Sequence, residues 1–255
     1  MAEPAADGSY SIRAVDRVCD LLDLAADSPA GLSLSDAAQG ASIPKSTAFR
    51  YLAALEARQY LERDPSTSTY RLGLAFRATD PRGRERLLDV AEPIIEALRD
   101  ECGETTNVGV LDGGFVVHEL VAESPQMMRL AARVGDRGFV HSTALGKAIC
   151  AQLPEDRVVA ILRAKGMDPF TAKTITDEGR YLKELEKVRA SGFGEDDAEN
   201  QDGGRCVAAV IPISGLHCGI SVSAPIERLP REKVAGIVEA LQAAAAQIAE
   251  QVEPR

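Results

Sequence analysis

No tryptophan occurs among the 255 residues, and aromatic residues make up only 4% of the chain. That excludes a cage or stacking platform built on Trp. The three histidines and five cysteines never fall into a CxxC or HxxxH pair, the spacing a zinc site uses. Cys19, Cys102, Cys150, Cys206 and Cys218 are odd in number and irregularly spaced. Free thiols in a reducing compartment fit that pattern better than a disulfide framework. No apolar run approaches the roughly 20 residues of a membrane span. The opening Met1-Ala2-Glu3-Pro4 has neither the basic start nor the apolar stretch of a signal peptide. Gly203-Gly204 lacks the lysine and the spacing of a phosphate loop. Together these absences predict a cytoplasmic protein with no metal, no cofactor and no membrane contact.

What is present is acidic and ordinary in composition: 45% hydrophobic, 27% charged, net charge -10. A surplus of negative charge argues against a non-specific coat on nucleic acid. The charge is unevenly spread, however. Within 43–77 stand Lys45, Arg50, Arg58, Arg63, Arg71 and Arg77, against Glu56, Glu62 and Asp64. A local positive patch on an acidic protein suits a defined, register-fixing DNA contact.

Ile12, Val15, Val18, Cys19, Leu22 and Leu24 recur near helical spacing, which predicts a first helix over 11–26. The run Asp27 to Gly31, with Pro29, breaks it. Ser33 is placed to cap a short helix from Leu34 to Gln39, with Asp36 in its first turn. Gly40-Ala41-Ser42 turns the chain into a third helix that starts at Ile43 or Pro44. Its inner face is Ala48, Leu52 and Leu55, and its outer face Lys45, Ser46, Thr47, Phe49 and Arg50. Tyr60–Arg63 and Thr69–Leu72 then form two short strands around a turn at 64–68. Three helices and a wing, with a cationic face on the third, are the parts of a winged helix-turn-helix. Arg50 can fork onto a guanine edge or a phosphate. Ser46 and Thr47 reach phosphates or bases, and Arg63 and Arg71 stand on the wing.

These segments resemble the DNA-binding domain of the IclR family of bacterial transcriptional regulators. The likeness rests on Arg13-Ala14-Val15, on Leu32 to Ala38, on Pro44-Lys45-Ser46-Thr47 with Arg50, and on Tyr70-Arg71-Leu72-Gly73. A polar break at 78–86, with Pro81 and Gly83, then reads as a linker. The family carries a longer, more continuous helix there. The expected domains are 1–77, the linker 78–86, and a second domain over 87–255.

In that second domain a helix is expected over 85–102, closed by Gly103. Strands Thr105–Leu111 and Phe115–Val121 follow around an Asp112-Gly113-Gly114 turn, and Met128–Ala132 reads as a third. Helices are expected at Thr143–Leu153, Glu155–Lys165 and Asp177–Ser191. Strands Cys206–Ile213 and Leu216–Ala224 come next, and a last helix runs from Pro230 to Val252. Its stripe is Val234, Ile237, Val238, Leu241, Ala245 and Ile248. Helices flanking hairpin-built strands indicate an α+β domain with an antiparallel sheet.

Here too the chain resembles the IclR family, in its effector-binding domain, which has a GAF-like fold. The matching segments are His141 to Ala148, Gly192-Phe193 with Asp196 and Asn200, Arg205 to Ala209, and Ser221 to Pro225. The resemblance covers roughly 11–252. It implies that Ala144, Leu145, Asp196, Cys206, Ser221 and Ser223 surround a small organic acid.

Physical chemistry points the same way for several of these. Ala144 and Leu145 lie near a helix start, where unpaired N–H groups can hold a carboxylate. Ser221 and Ser223 are two apart on a strand and share one face. Asp196 either accepts a bond from a ligand hydroxyl or caps a turn, and Cys206 is a small soft lining group. Leu130, Met128 and Phe139 are the candidates for an apolar wall, with plain core packing the stronger alternative for Met128. Two other chemistries are conceivable. Cys206, His141 and Asp196 form a nominal nucleophile set, and His217-Cys218 with Cys206 or His118 a nominal zinc set. Neither has a supporting motif.

The expectation is therefore a homodimeric regulator, in pairs of dimers by family habit, acting as a repressor rather than an activator. It would bind a double-stranded, pseudo-palindromic operator and respond to a small organic acid. The competing class is a small-molecule sensor or enzyme that keeps a helix-turn-helix for protein contacts.

Overall fold

The structure is a computed structural model, and it describes residues 12–28, 31–58, 60–64, 67–73 and 81–253. The expectations placed on Ser11, Pro29, Pro65, Ser66, Arg77 and residues 78–80 lie outside the described residues. The chain divides into two compact units, Met1–Asp80 and Pro81–Arg255.

In the first unit, helix α1 spans Arg13–Ala26, α2 Leu34–Gly40 and α3 Lys45–Glu56. Ser33 caps α2 as expected, its Oγ accepting from the Asp36 N–H at 3.1 Å. Pro44 is the residue before α3 rather than its first helical one. The wing strands are β1, Leu61–Arg63, and β2, Tyr70–Leu72, paired antiparallel with Glu62 opposite Arg71. Leu32 adds a bridge to Tyr70 that the sequence pattern did not announce. The core is Leu21, Ala25, Leu32, Ala37, Leu52, Leu55, Leu61 and Tyr70, with neighbours packed on them. Of the expected α1 stripe, Val18, Leu22 and Leu24 pack against this core, and the other half does not. Leu21 and Ala25 face inward, whereas Ile12, Val15 (53% exposed) and Cys19 face out.

The second unit opens with α4, Pro81–Cys102. This corrects the linker expectation for residues 81–86, because helix runs straight through Gly83. Proline in a first turn loses no hydrogen bond. Leu87 and Ala91 are fully buried on the same helix, and Arg84 is ion-paired to Glu119. Gly103 ends it at φ +73, a conformation that suits glycine.

Six strands make one sheet: β3 Thr105–Asp112, β4 Phe115–Ala122, β5 Arg137–Phe139, β6 Gly194–Asp197, β7 Gly204–Ile211 and β8 Cys218–Pro225. Their order is β5-β4-β3-β8-β7-β6, antiparallel throughout. The short edge strands β5 and β6 were not expected. Sequences such as Gly-Glu-Asp-Asp have little strand preference of their own and are held by their neighbour. Residues 128–132, expected as a strand, form no regular element.

One sheet face packs on α4 and on α8, Arg231–Val252, through Val108, Val207, Ile220, Val222, Leu241 and Ile248. The other face carries α5, Ala144–Cys150, α6, Glu155–Lys165, and α7, Glu178–Ser191. Tyr181 of α7 is fully buried, and its hydroxyl donates to the Val140 carbonyl at 2.8 Å.

α5 lies so close to this face that Gly146 has no room for a side chain. A Cβ there would overlap the Cα and carbonyl oxygen of Val140. Gly146→Ala is therefore expected to destabilise the protein by about 2 kcal/mol, read as a lowered urea midpoint. An unchanged midpoint would mean that α5 can shift away at no cost.

Candidate functional site

The first unit presents one surface of distinct chemistry. On α3, Ala48, Leu52 and Leu55 follow helical spacing and are buried. Lys45, Ser46, Phe49 and Arg50 therefore share the opposite, exposed side, with Thr47 half-buried at its edge. Lys45 and Arg50 make no hydrogen bond or ion pair with the described residues. Phe49 is 51% exposed, an aromatic kept out of the core beside two free cations. Its apolar ring can meet a thymine methyl while the cations meet phosphate or base edges. On the wing, Arg63 donates to Ser68 Oγ at 3.3 Å and lies over the Tyr70 ring. Arg71, exposed, stands opposite Glu62.

The second unit holds a cleft of about 660 Å³ including its open mouth. Its floor is the sheet face that α5 covers. Register sets the polar groups there: Asp196, Cys206, Ser223 and Thr105 form one row across β6, β7, β8 and β3. Ser221 and Asn107 face each other one step along. Period-two alternation turns all of them to the same side.

The first turn of α5 forms a wall. Thr143 caps it, its Oγ1 accepting from the Gly146 N–H at 3.1 Å and donating to the Phe139 carbonyl at 2.8 Å. Helix geometry leaves the N–H groups of Ala144 and Leu145 without acceptors in their own helix. The irregular segment after β4 supplies Leu130, Ala131 and Ala132.

The polar groups are tied together. Cys206 Sγ donates to Ser223 Oγ at 3.0 Å, and Asn107 Nδ2 donates to the same oxygen at 3.4 Å. Asp196 Oδ1 accepts from the N–H groups of Glu199 at 2.6 Å and Asn200 at 3.2 Å. It thus caps that turn with one oxygen and leaves the other for the cleft. Burial raises its pKa to about 6, against the pull of those two N–H bonds. Burial, and then the nearby Asp196 charge, pushes the Cys206 thiol up to about 12. Beneath the cleft the fully buried Lys147 ammonium donates to the Glu195 carbonyl at 2.7 Å and pairs with Glu199.

Of the residues expected around a ligand, Ala144, Leu145, Asp196, Cys206, Ser221, Ser223 and Leu130 line this cleft. Met128 does not. It is 74% exposed, and its carbonyl accepts from Arg228. It is therefore not core either, because the irregular chain at 128–132 has no strand alternation to turn it inward. Phe139 also stands outside the cleft. β5 places it in an aromatic cluster with Phe115, His141 and Phe170.

Residues that were not expected around a ligand also line the cleft: Asn107, Val116, His118, Thr143, Asn200 and Gln201. Two of them carried a signal: Asn107 as an amide in the middle of an apolar strand, and Asn200 as part of the segment with Asp196 that carries the family likeness.

The nucleophile set does not assemble. His141 Nε2 lies 3.1 Å from the Asp168 carbonyl and its ring stacks on Phe170, while the Cys206 thiol is held protonated. His217 lies against Arg157 at 3.0 Å, and Cys218 Sγ points to the Ile211 carbonyl. Among the described residues no three His, Cys, Asp or Glu side chains gather as metal ligands. No described helix is long and apolar enough to cross a membrane.

Two family profiles match the chain. One, described as "Bacterial transcriptional regulator IclR C-terminal", covers 83–250, and the other, "IclR helix-turn-helix domain", covers 14–65. The HTH-type transcriptional regulator BhcR of Paracoccus denitrificans is 34% identical, over 98% of this chain and 91% of its own. The transcriptional repressor IclR of Escherichia coli is 30% identical, over 91% of this chain and 87% of its own. The solved structure of the Thermotoga maritima IclR superposes with a TM-score of 0.63 at 26% identity, covering 95% and 99% of the two chains.

Proposed function

The chain belongs to the IclR family of bacterial transcriptional regulators, and from that premise we propose a repressor, acting in the cytoplasm, whose grip on its operator is set by a small organic acid. The first unit is the DNA-binding part. α3 enters the major groove, with Arg50 and Thr47 at base edges, Lys45 and Ser46 on phosphates and Phe49 against a methyl group. Arg63 and Arg71 on the wing hold the flanking backbone. Two copies read a pseudo-palindromic site as a dimer.

The observation that carries the effector reading is the cleft itself. It combines two first-turn amides of α5, the hydroxyls of Ser221 and Ser223, and no lysine or arginine in its lining. Such a site holds a carboxylate by N–H and O–H dipoles. The acid changes operator binding only as far as it binds one arrangement of the protein better than the other.

A titration tests both halves together: operator binding by gel shift, with a panel of carboxylic acids added. A specific shift that one acid relieves supports the reading. If no acid alters the shift or binds the protein, the effector role of the cleft is wrong. Replacing Ser221 and Ser223 together by Ala should raise the acid concentration needed for half-maximal effect about tenfold. Should operator affinity without acid collapse as well, the serines are structural.

The acidity of Asp196 adds a pH signature. Its pKa is raised to about 6, so its charge appears as pH rises through that value. An ionised Asp196 repels an anionic effector, whereas the protonated form can donate to it. Effector affinity should therefore strengthen as pH falls from 7 through about 6, and Asp196→Asn should flatten that dependence. A pH-independent affinity in the unaltered protein would remove Asp196 from contact with the anion.

A further inference from the structure

At the β3–β4 side of the cleft two polar groups lack partners. Asn107 is 1% exposed, and its Oδ1 is buried with no hydrogen bond. His118 of β4 lines the same cleft, and its Nδ1 is likewise buried and unpaired. Rotating the Asn107 amide by a half-turn exchanges its two atoms and still leaves one without a partner. Buried polar groups rarely stay unpaired, because each has given up its water for nothing in return.

Their placement is built into the sheet. The register of β3 against β4 shifts between Val108 and Gly109. One extra residue on β4 in such a shift re-aims its neighbours. Here Leu120 pairs with Val108 and His118 with Gly109, and the intervening Glu119 is ion-paired to Arg84. Gly109 keeps that side of the sheet low. A Cβ on it would press on Val116 and Leu145, both of which line the cleft. The backbone of His118 is fixed on its other edge, its N–H to the Asp136 carbonyl at 3.0 Å and its carbonyl to the Gly135 N–H at 2.8 Å. The imidazole is thus held in place over a glycine, facing the cleft.

From this geometry we propose that Asn107 and His118 form a distal subsite for a neutral hydrogen-bonding group, so that the effector is a monocarboxylate carrying a remote hydroxyl or carboxamide. The proposal rests on the organic-acid reading above and deepens it. A hydroxyl or amide both donates and accepts, which matches an amide oxygen beside a neutral imidazole. Burial lowers the His118 pKa more than the Asp136 charge raises it, so the ring is neutral near pH 7. A second carboxylate would give up its water in this half-buried cleft and find no lysine or arginine in the lining to offset that cost. A methyl terminus would leave both polar atoms unpaired.

The experiment uses purified full-length protein and calorimetric titration with matched acids on two scaffolds. One set is pentanoate, 5-hydroxypentanoate, glutaramate, glutarate and 5-aminopentanoate; the other is benzoate and 4-hydroxybenzoate. On at least one scaffold the hydroxyl or amide acid should bind about tenfold tighter than its plain parent. In His118→Phe and in Asn107→Leu, both checked for unchanged thermal unfolding, that ratio should fall to about one. If Asn107→Leu does not fold, the half-buried His118 carries the test alone. Plain acids that bind as tightly as the substituted ones overturn the distal subsite and leave the effector reading standing. So does tightest binding by the dicarboxylate or the amine, or a ratio that survives both substitutions. If no acid of either set binds, both the subsite and the organic-acid reading fail.

Discussion

Arg50→Ala is expected to lower specific operator affinity about a hundredfold while leaving the unfolding temperature where it was. The side chain is exposed on the outer face of α3 and bonds to nothing among the described residues, so the fold loses no contact. The DNA complex loses a great deal. A forked Arg contact to a guanine is worth about 1–3 kcal/mol, and a dimer reading two half-sites loses it twice. At about 1.4 kcal/mol per tenfold, a hundredfold is about 2.8 kcal/mol, in the lower half of the doubled range of about 2–6 kcal/mol. Lys45→Ala is a contrasting control. A phosphate contact carries no sequence information, so specific and non-specific affinity should fall together, with a shallower salt dependence. Fluorescence anisotropy on operator and scrambled duplexes separates the two. If Arg50→Ala weakens both duplexes equally, Arg50 is a phosphate anchor and the base reader lies elsewhere on α3.

That surface was legible in the sequence because it is local. Helical spacing alone turns Ala48, Leu52 and Leu55 inward, and so fixes which side Lys45 and Arg50 occupy. The cap by Ser33 is legible for the same reason, since it bonds an N–H three residues on. On α1 the same rule was half right: Val18, Leu22 and Leu24 pack against the core, whereas Ile12, Val15 and Cys19 do not. Two apolar stripes lie next to each other there, and only packing against the rest of the unit selects Leu21 and Ala25 over Val15 and Cys19.

In the cleft, strand parity sufficed for Ser221 and Ser223. No reading placed His118 there, although it stands two residues from Val116 on β4 and shares its side; the register shift at Val108 and Gly109 beyond it is a property of the paired strands and not of either one. Met128 was misplaced for a related reason. Alternation says nothing about chain that is not a strand. The continuous α4 was missed because Pro81 and Gly83 are breakers only inside a helix that nothing else holds.

Lys147→Met should cost about 3–5 kcal/mol, the usual result of removing one partner from a buried ion pair, and lower the unfolding temperature by about 10 °C. The Lys147 side chain is 0% exposed and the Glu199 side chain 12%. Without the ammonium, a carboxylate remains in a site where burial already pushes its pKa up and Lys147 is the chief influence pulling it back down. Glu199 then escapes by taking a proton, so the loss should shrink as pH falls. The raised folded-state pKa gives the same sign: that form is the more stable below its titration and the less stable above it.

Adding Glu199→Gln should recover most of the loss, because the pair then leaves together. The consequence reaches the effector. Lys147 holds the Glu195 carbonyl and the Glu199 side chain, which flank Asp196 on either side in the chain. Its ammonium also pulls the Asp196 pKa down. Lys147→Met should therefore move the pH dependence of effector binding upward, even at temperatures where the fold is intact. Equal destabilisation in the single and double variants would place the value of Lys147 in its bond to the Glu195 carbonyl rather than in charge pairing. A pH profile left in place would separate this pair from the chemistry of the cleft.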